Sequence, residues 1–101
     1  MPQFANLAPH EHEILCCAAE EAAEIAQIIM KAMRHGIDSK HPFIQYAELN
    51  RVEIAKEIGQ LIAVSEMMVQ LGVINQSEIT FGKNRKWEKI GQFLHHIQRV
   101  R

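Results

Sequence analysis

The sequence predicts an all-α fold with three long helices, and three observations support that prediction. Apolar residues recur at spacings of three and four through most of the chain, which is the pattern of one helix face. No segment shows the alternation or the β-branched clusters that indicate a strand. Gly36 and Gly72 follow the first two apolar runs, at positions where helices commonly end. We therefore expect a helical bundle, with room for a short connecting helix.

The first predicted helix follows an extended leader at residues 1–8 and opens the single domain expected at residues 9–101. Pro9 suits a first helical turn, because its missing N–H would have no partner there. The helix is expected to run to about Arg34, since the basic pair Arg34-His35 and then Gly36 form a common helix stop. Its apolar stripe consists of Ile14, Cys17, Ala18, Ala22, Ile25, Ile28, Ile29 and Met33.

Two further helices are predicted after a loop at residues 36–45. The second is expected to run from about Tyr46 to Leu71, where the apolar spacing of three and four returns. Asn75 is the predicted N-cap of the third helix, and Glu78 three residues later would complete a capping box. The third helix is then expected to span about Gln76 to Val100.

The composition indicates a single domain without a strong charge of either sign. The chain has 101 residues, with 11 basic and 12 acidic side chains and a net charge of −1. Such a balance argues against binding to a nucleic-acid polymer. We expect no signal peptide and no membrane partner, because no apolar run approaches the roughly 18 residues of a membrane span. Adjacent Cys16 and Cys17 are typical of reduced thiols, so a cytoplasmic location is expected.

Acidic and amide side chains recur on one face of each of the first two helices. Glu21 and Glu24 are three residues apart, and so are Glu57 and Gln60, so each pair projects from one helix face. If the helices pack side by side, the four groups converge. Hard oxygen ligands of this kind suit Mg²⁺ or Mn²⁺, and helical bundles build metal sites from facing helices.

A solvated helix face is the alternative explanation for these acidic residues, and it is the common one for such runs. The neighbours of the glutamates favour a site instead. Glu21 and Glu24 lie close to the apolar stripe that contains Ala18 and Ile25. Carboxylates near a core are costly unless they are paired or bound to metal. The sequence therefore predicts a divalent metal site between the first two helices.

Three segments together resemble the MazG-like branch of the all-α nucleoside triphosphate pyrophosphohydrolases, and small phage-encoded members come closest in length and layout. The segments are EEAAE at 20–24, HGIDSKHP at 35–42 and NRVEIAKEIGQLIAV at 50–64, within a resemblance covering about residues 13–90. The family pattern is EExxE followed by ExxD. Glu20, Glu21 and Glu24 match its first half, and Glu57 matches the Glu of its second half. Gln60 stands where the family has Asp, and one neutral carbonyl oxygen should bind metal more weakly than a carboxylate.

This resemblance implies hydrolysis of a nucleoside or deoxynucleoside triphosphate to a monophosphate and pyrophosphate, with Mg²⁺ or Mn²⁺ as cofactor. The implied metal ligands are Glu21, Glu24, Glu57 and Gln60. Glu20, Glu21 and Glu24 form the implied catalytic set, although Glu20 either assists the reaction or simply faces solvent. Two alternatives stay open, a nucleotide-binding module weakened by Gln60 and a purely structural helical homodimer. If phage-encoded, the protein would act in the host cytoplasm.

The resemblance also implies that basic residues at the start of the third helix lie near the phosphates. These residues are Lys83, Arg85, Lys86 and Lys89. A solvated face, ion-paired with nearby glutamates, is the alternative. Lys31 and Arg34 are further candidates for binding the nucleotide. Asn50 either reads a base edge or caps the second helix.

Self-association is the last expectation. Three helices this rich in Ile, Leu and Met would leave much apolar surface uncovered in a monomer. Closed symmetric assembly is the usual way to bury such surface. The sequence therefore predicts a homodimer or homotetramer.

Overall fold

Residues 6–97 are described by the computed structural model, and they form helices joined by turns and loops. The elements are α1 (Pro9–His35), α2 (Asn50–Gln70), α3 (Gln76–Lys89) and a 3-10 turn (Ile90–Gln92). No strand occurs between residues 6 and 97, so the predicted all-α class is confirmed. Within that same range, no helix combines the length and the apolar character needed to cross a membrane.

Helix α1 begins and ends within one residue of the prediction because both ends are encoded locally. The Glu11 carboxylate accepts a hydrogen bond of 2.8 Å from the Ala8 N–H, just before Pro9, which satisfies a backbone donor at the first turn. At the other end Gly36 adopts a φ of 104°, which favours glycine, and its N–H donates to the Ala32 carbonyl at 2.8 Å. These are short-range signals that a sequence displays directly.

Helix α2 begins at Asn50, later than the predicted Tyr46, because the preceding loop folds back onto it. The Asn50 N–H donates to the Ser39 carbonyl at 2.8 Å, and the next amide, of Arg51, donates to the Ile37 carbonyl at 2.9 Å. Those loop carbonyls take the place of a cap for the first amides of the helix. Asn50 is therefore not the N-cap, which is Leu49, and the capping prediction for Asn50 is wrong.

The connecting loop is also tied down by an ion pair. Arg51 in the first turn of α2 donates two hydrogen bonds to the Asp38 carboxylate, and the second spans 2.9 Å from Nη2 to Oδ2. Both side chains are more than half exposed. The hydrogen bonds from Arg51 lower the pKa of Asp38, partial desolvation acts in the opposite direction, and the charge of Arg51 lowers it further.

Helix α3 begins where predicted but ends early. Asn75 is its N-cap residue, yet its side-chain amide donates to the Glu78 carboxylate at 3.2 Å and caps no backbone N–H, so the predicted capping box is wrong. The helix ends at Lys89 and tightens into the 3-10 turn, which contains the poor helix former Gly91. The prediction of one helix to Val100 is therefore wrong, and residues 98–101 lie outside the described part.

Helices α1 and α2 pack against each other as an antiparallel hairpin. The Asn50 side chain donates to the Gly36 carbonyl at 2.8 Å, and Lys31, earlier in α1, pairs with Glu53, later in α2. The buried apolar residues of the described chain all belong to this hairpin. They are Ile14, Ile28 and Ala32 of α1 and Met68 of α2.

Helix α3 contributes nothing to that core. It contains no buried residue and packs chiefly against the 3-10 turn that follows it. The Cα radius of gyration is 17.1 Å, whereas a compact domain of 100 residues has about 13 Å. The molecule therefore consists of a packed hairpin and a third helix that lies apart from its core.

Candidate functional site

Three glutamates from the two hairpin helices meet at one point. Glu21 and Glu24 come from α1 and Glu57 comes from α2, and one carboxylate oxygen of each lies within 4.8 Å of the others. Glu21 and Glu24 meet because a spacing of three residues places both on the helix face that packs on α2. The antiparallel packing then brings Glu57 opposite them.

The carboxylates of this cluster repel one another when no cation lies between them. A hydrogen bond shared with Glu57 raises the pKa of Glu24, and the charge of Glu57, partial desolvation and the charge of Glu20 act in the same direction. The raised pKa means that Glu24 takes up a proton more readily than an isolated glutamate, which lessens the repulsion. A divalent cation in the same position would relieve it more completely.

Two carboxylate oxygens of the cluster have no hydrogen-bond partner among the described residues. Both Oε2 of Glu21 and Oε2 of Glu57 are buried and unsatisfied. A buried anionic oxygen without a partner is costly, so structures usually provide a donor or a metal ion. The donor set, three carboxylates with hard oxygen atoms, therefore fits Mg²⁺ or Mn²⁺.

A cleft of about 550 Å³ opens beside the cluster, and we call it the acidic cleft. Its lining residues are Glu24, Gln27, Ile28 and Lys31 of α1, Glu48 of the loop, and Glu53, Lys56, Glu57 and Gln60 of α2. Gln60 thus lies at the same cleft as Glu24 and Glu57, as its position one turn after Glu57 suggests. Glu20 is exposed and does not line the cleft, although its charge reaches Glu24.

Two lysines of the acidic cleft are held by ion pairs. Lys31 Nζ lies 3.2 Å from Glu53 Oε2, and Lys56 Nζ lies 2.7 Å from Glu48 Oε2. Lys56 and Glu48 were missed by the sequence-based prediction. The available signal was that Lys56 and Gln60 are four residues apart and share a helix face. Glu48 offered no such signal, because only the fold of the loop brings it to the cleft.

The four basic residues of α3 lie apart from the carboxylates in the described chain. Those residues are Lys83, Arg85, Lys86 and Lys89, and none of them lines the acidic cleft. Lys83 and Lys86 border a separate groove of about 370 Å³ with Trp87, and the Arg85 guanidinium lies 6.0 Å from the centre of the Phe81 ring. Their predicted contact with phosphate stays a prediction.

The remaining predicted nucleotide-binding residues lie at different places in the hairpin. Lys31 lies at the acidic cleft, whereas Arg34 is exposed in the last turn of α1 and lines neither the acidic cleft nor the cavity beside the α1–α2 loop. Asn50 is 1% exposed and does not line the acidic cleft, but it borders a neighbouring cavity that also contains Lys31. Lys31 is therefore the residue common to both cavities.

Comparison of the chain with protein-family models, with curated proteins and with solved structures finds no match. The residues of the site and their geometry are therefore the basis for assigning a function.

Proposed function

We propose that this protein is a Mg²⁺- or Mn²⁺-dependent nucleoside triphosphate pyrophosphohydrolase that acts on the cytoplasmic pool of nucleotides or deoxynucleotides. The observation that carries the proposal is the convergence of Glu21, Glu24 and Glu57, with two buried oxygens that lack partners. The order of motifs that resembles the MazG-like enzymes indicates which metal-dependent reaction is involved.

The chemistry requires little beyond positioning and charge neutralisation. Water attacks the α-phosphorus, a new P–O bond forms, the bond to the bridging oxygen breaks, and pyrophosphate leaves. Glu21, Glu24 and Glu57 would hold the cation, and the carbonyl oxygen of Gln60, which lines the same cleft, would be a neutral fourth donor. A bound cation neutralises phosphate charge and lowers the pKa of the attacking water. Glu20, which is exposed outside the cleft but whose charge reaches Glu24, would serve as the proton acceptor.

The lysines of the acidic cleft bind the phosphates. Lys31 and Lys56 already lie in the cleft, each against one carboxylate, at 3.2 Å from Glu53 and 2.7 Å from Glu48. Ion pairs that are partly exposed to solvent are weak, so exchange of the carboxylate for a phosphate oxygen costs little. The incoming polyphosphate carries more negative charge than the side chain it displaces.

A nucleotide-binding module with slow hydrolysis is the second candidate, and Gln60 is the observation that favours it. A neutral amide at this edge of the cluster leaves three charged ligands, which is fewer than the family pattern provides. Such a protein would retain metal-dependent binding and lose most of the rate.

Assembly of two or more copies forms part of the proposal. Large apolar side chains stay exposed on the hairpin helices, among them Met30, Met33, Ile58, Ile62 and Met67. Helix α3 contains no buried residue, and its Phe81 side chain is 67% exposed. A homodimer in which α3 of one copy covers the hairpin of the other would bury both surfaces and bring basic residues towards the acidic cleft.

Product analysis tests the proposed reaction. The protein is incubated with each common NTP and dNTP in the presence of Mg²⁺ or Mn²⁺, and the products are separated by ion-exchange chromatography. Monophosphate and pyrophosphate in equal amounts are expected from one or a few nucleotides. Release of inorganic phosphate with a diphosphate would contradict cleavage at the α-phosphorus.

A control variant and a measurement of thermal stability complete that experiment. Glu66→Gln removes an exposed carboxylate of α2 that does not line the acidic cleft, and it should leave the rate unchanged. Intact nucleotides with every metal, in a folded protein that is thermally stabilised by nucleotide and Mn²⁺, would establish the binding module instead. Intact nucleotides without stabilisation would leave the structural homodimer.

A further inference from the structure

A second cavity, of about 410 Å³, lies between the end of α1 and the loop that joins α1 to α2, and we call it the loop cavity. Its lining includes Lys31 and His35 of α1 and Ser39, Lys40 and His41 of the loop. Within the described part of the chain no carboxylate lines it, whereas four glutamates line the acidic cleft. The charge around the loop cavity therefore favours an anion over a cation.

The loop that carries three of these residues is held in place by hydrogen bonds from the start of α2. The Asn50 N–H donates to the Ser39 carbonyl at 2.8 Å, and the Asn50 side chain donates to the Gly36 carbonyl at 2.8 Å. Lys40 follows Ser39 directly, so its backbone position is set before any ligand arrives. Binding at this cavity then requires the ordering of side chains and not of the backbone, which lowers its entropic cost.

Lys40 differs from the other lysines of the hairpin and its loop because no carboxylate neutralises it. Lys31 lies 3.2 Å from Glu53, and Lys56 lies 2.7 Å from Glu48. Among residues 6–97, no carboxylate oxygen lies within 4.0 Å of the Lys40 ammonium. A long and flexible side chain of this kind can turn its ammonium towards a ligand in a cavity that it lines.

Asp38 is the acidic residue nearest to Lys40 in the sequence, and it does not offset that charge. Its carboxylate accepts two hydrogen bonds from the Arg51 guanidinium. Such a two-point pair satisfies the carboxylate geometrically, so Asp38 is directed to α2 and away from pairing with its neighbour in the loop. The positive charge of Lys40 is thus left for an external anion.

The residues on either side of Lys40 supply hydrogen-bond donors. The half-buried Ser39 has a hydroxyl without a hydrogen-bond partner in residues 6–97. The Phe43 N–H donates to His41 Nδ1 at 3.2 Å, so that ring is neutral and carries its proton on Nε2, where it can donate. An ammonium, a hydroxyl and an imidazole N–H on three consecutive residues suit a ligand that accepts from several directions. A phosphate-type oxyanion is such a ligand.

We propose that the loop cavity binds a free phosphate-type oxyanion without a divalent metal, with Lys40 neutralising its charge and Ser39 and His41 donating hydrogen bonds to it. The inference goes beyond the proposed function and does not depend on it, because none of these three residues lines the acidic cleft. Lys31 lines both cavities, but its ammonium is paired with Glu53, so the anion site does not require it.

Titration with inorganic phosphate tests the site directly. Backbone ¹H–¹⁵N NMR spectra of the full chain are recorded in EDTA, with sodium chloride adjusted to keep the ionic strength constant. Phosphate should shift the amides of residues 35–42 in a saturable manner. Lys40→Ala should weaken binding at least about tenfold, because a charge-assisted hydrogen bond is lost. Lys40→Arg keeps the charge and should bind within about threefold of the original chain.

Arg34→Ala is the matched control for charge. Arg34 is exposed close to the end of α1 and does not line the loop cavity, so its removal should change the affinity for phosphate by less than about twofold. An equal loss in Arg34→Ala and Lys40→Ala would show attraction to general surface charge and would overturn the inference. The absence of saturable shifts in the folded protein would overturn it as well.

Two further arms locate the anion and identify its source. Glu57→Gln alters the acidic cleft alone, so it should leave phosphate binding unchanged, and a loss there would place the anion at the carboxylate cluster instead. Thymidine monophosphate should bind no more tightly than inorganic phosphate. A preference for the nucleotide of more than about tenfold would overturn the assignment to a free anion. Phosphate binding in a protein that hydrolyses no nucleotide would leave this site standing without the hydrolase proposal.

Discussion

The α1–α2 hairpin and helix α3 both carry charged side chains, but the two regions differ in how far those side chains are buried. On the hairpin, Glu21, Glu57 and Lys31 are partly buried between two packed helices, and each lies against a charge from the other helix. On α3, no residue is buried, and the lysines project from a helix that lies outside the core. The three carboxylates thus meet within one chain, whereas the lysines of α3 lie apart from them.

Removing one carboxylate of the cluster should have the largest effect. Glu57→Gln leaves the side-chain shape and removes one of three charged ligands, so hydrolysis should fall on the order of 10²- to 10³-fold. Steady-state rates with saturating Mn²⁺ measure the loss, and isothermal titration of Mn²⁺ measures the affinity. An unchanged rate in Glu57→Gln would show that the carboxylate cluster of the hairpin takes no part in hydrolysis. Glu66→Gln provides the matched control on the same helix.

Assembly through α3 should give the next largest effect. Light scattering should show a dimer or larger species, and Phe81→Ser should raise its dissociation constant by at least about 30-fold, as expected when a large aromatic side chain is lost from an interface. Phe43→Ser is the control, because Phe43 lies on the loop between α1 and α2, outside both α3 and the hairpin helices that α3 is proposed to cover. A monomer at all concentrations would contradict the assignment of α3 to a partner.

Mixed assemblies test whether α3 acts on the site of a second copy. If the α3 lysines serve the site, a variant with Lys86→Ala and Lys89→Ala should have low activity alone, as the Glu57→Gln variant should, and the two variants are then mixed. If α3 serves the partner's cleft, subunit exchange should restore a level of activity that neither variant has, because one of the mixed sites then combines both intact parts. No recovery after exchange, with mixed species detected, would show that the α3 lysines do not act across the interface.

Charge at position 60 should have a moderate effect. Gln60→Asp adds a carboxylate at the acidic cleft, where Gln60 lies with Glu24 and Glu57, so Mn²⁺ should bind about tenfold more tightly. Titration calorimetry measures this, with Gln45→Asp as a charge added outside the cleft. A rate that rises with affinity identifies a site weakened by Gln60, whereas a rate that falls shows that the neutral amide belongs to the native chemistry.

The ion pair between Asp38 and Arg51 should give the smallest effect, and it is pH-dependent. The pKa of Asp38 in the folded chain lies below its ordinary value of 3.8, so the stabilisation is present above pH 3.8 and is lost as pH falls through the lowered pKa. Asp38→Asn should therefore lower Tm slightly near neutral pH and leave it unchanged in strong acid. Thermal melts followed by circular dichroism across pH check this, and an equal loss at every pH would contradict it.

Short-range features were predictable from the sequence. Pro9 and Gly36 mark the ends of α1, and the spacing of Glu21 and Glu24 places both on one helix face. Each of these signals acts within about one helical turn, where backbone sterics and i, i+3 neighbours dominate. For this reason the helix class, the position of α1 and the shared face of Glu21 and Glu24 could be deduced from the order of residues alone, whereas the approach of Glu57 depends on how the two helices pack.

Three features depend on tertiary packing: where α2 begins, which lysines reach the acidic cleft, and the position of α3 apart from the core. The start at Asn50 depends on carbonyls of Ser39 and Ile37, and the pairing of Lys56 depends on the loop residue Glu48. These contacts join residues that are brought together in space only by the fold of the loop. The periodicity of the sequence carries no information about that fold. Local sequence thus specifies the helices and the faces they present, and packing specifies which of those faces meet.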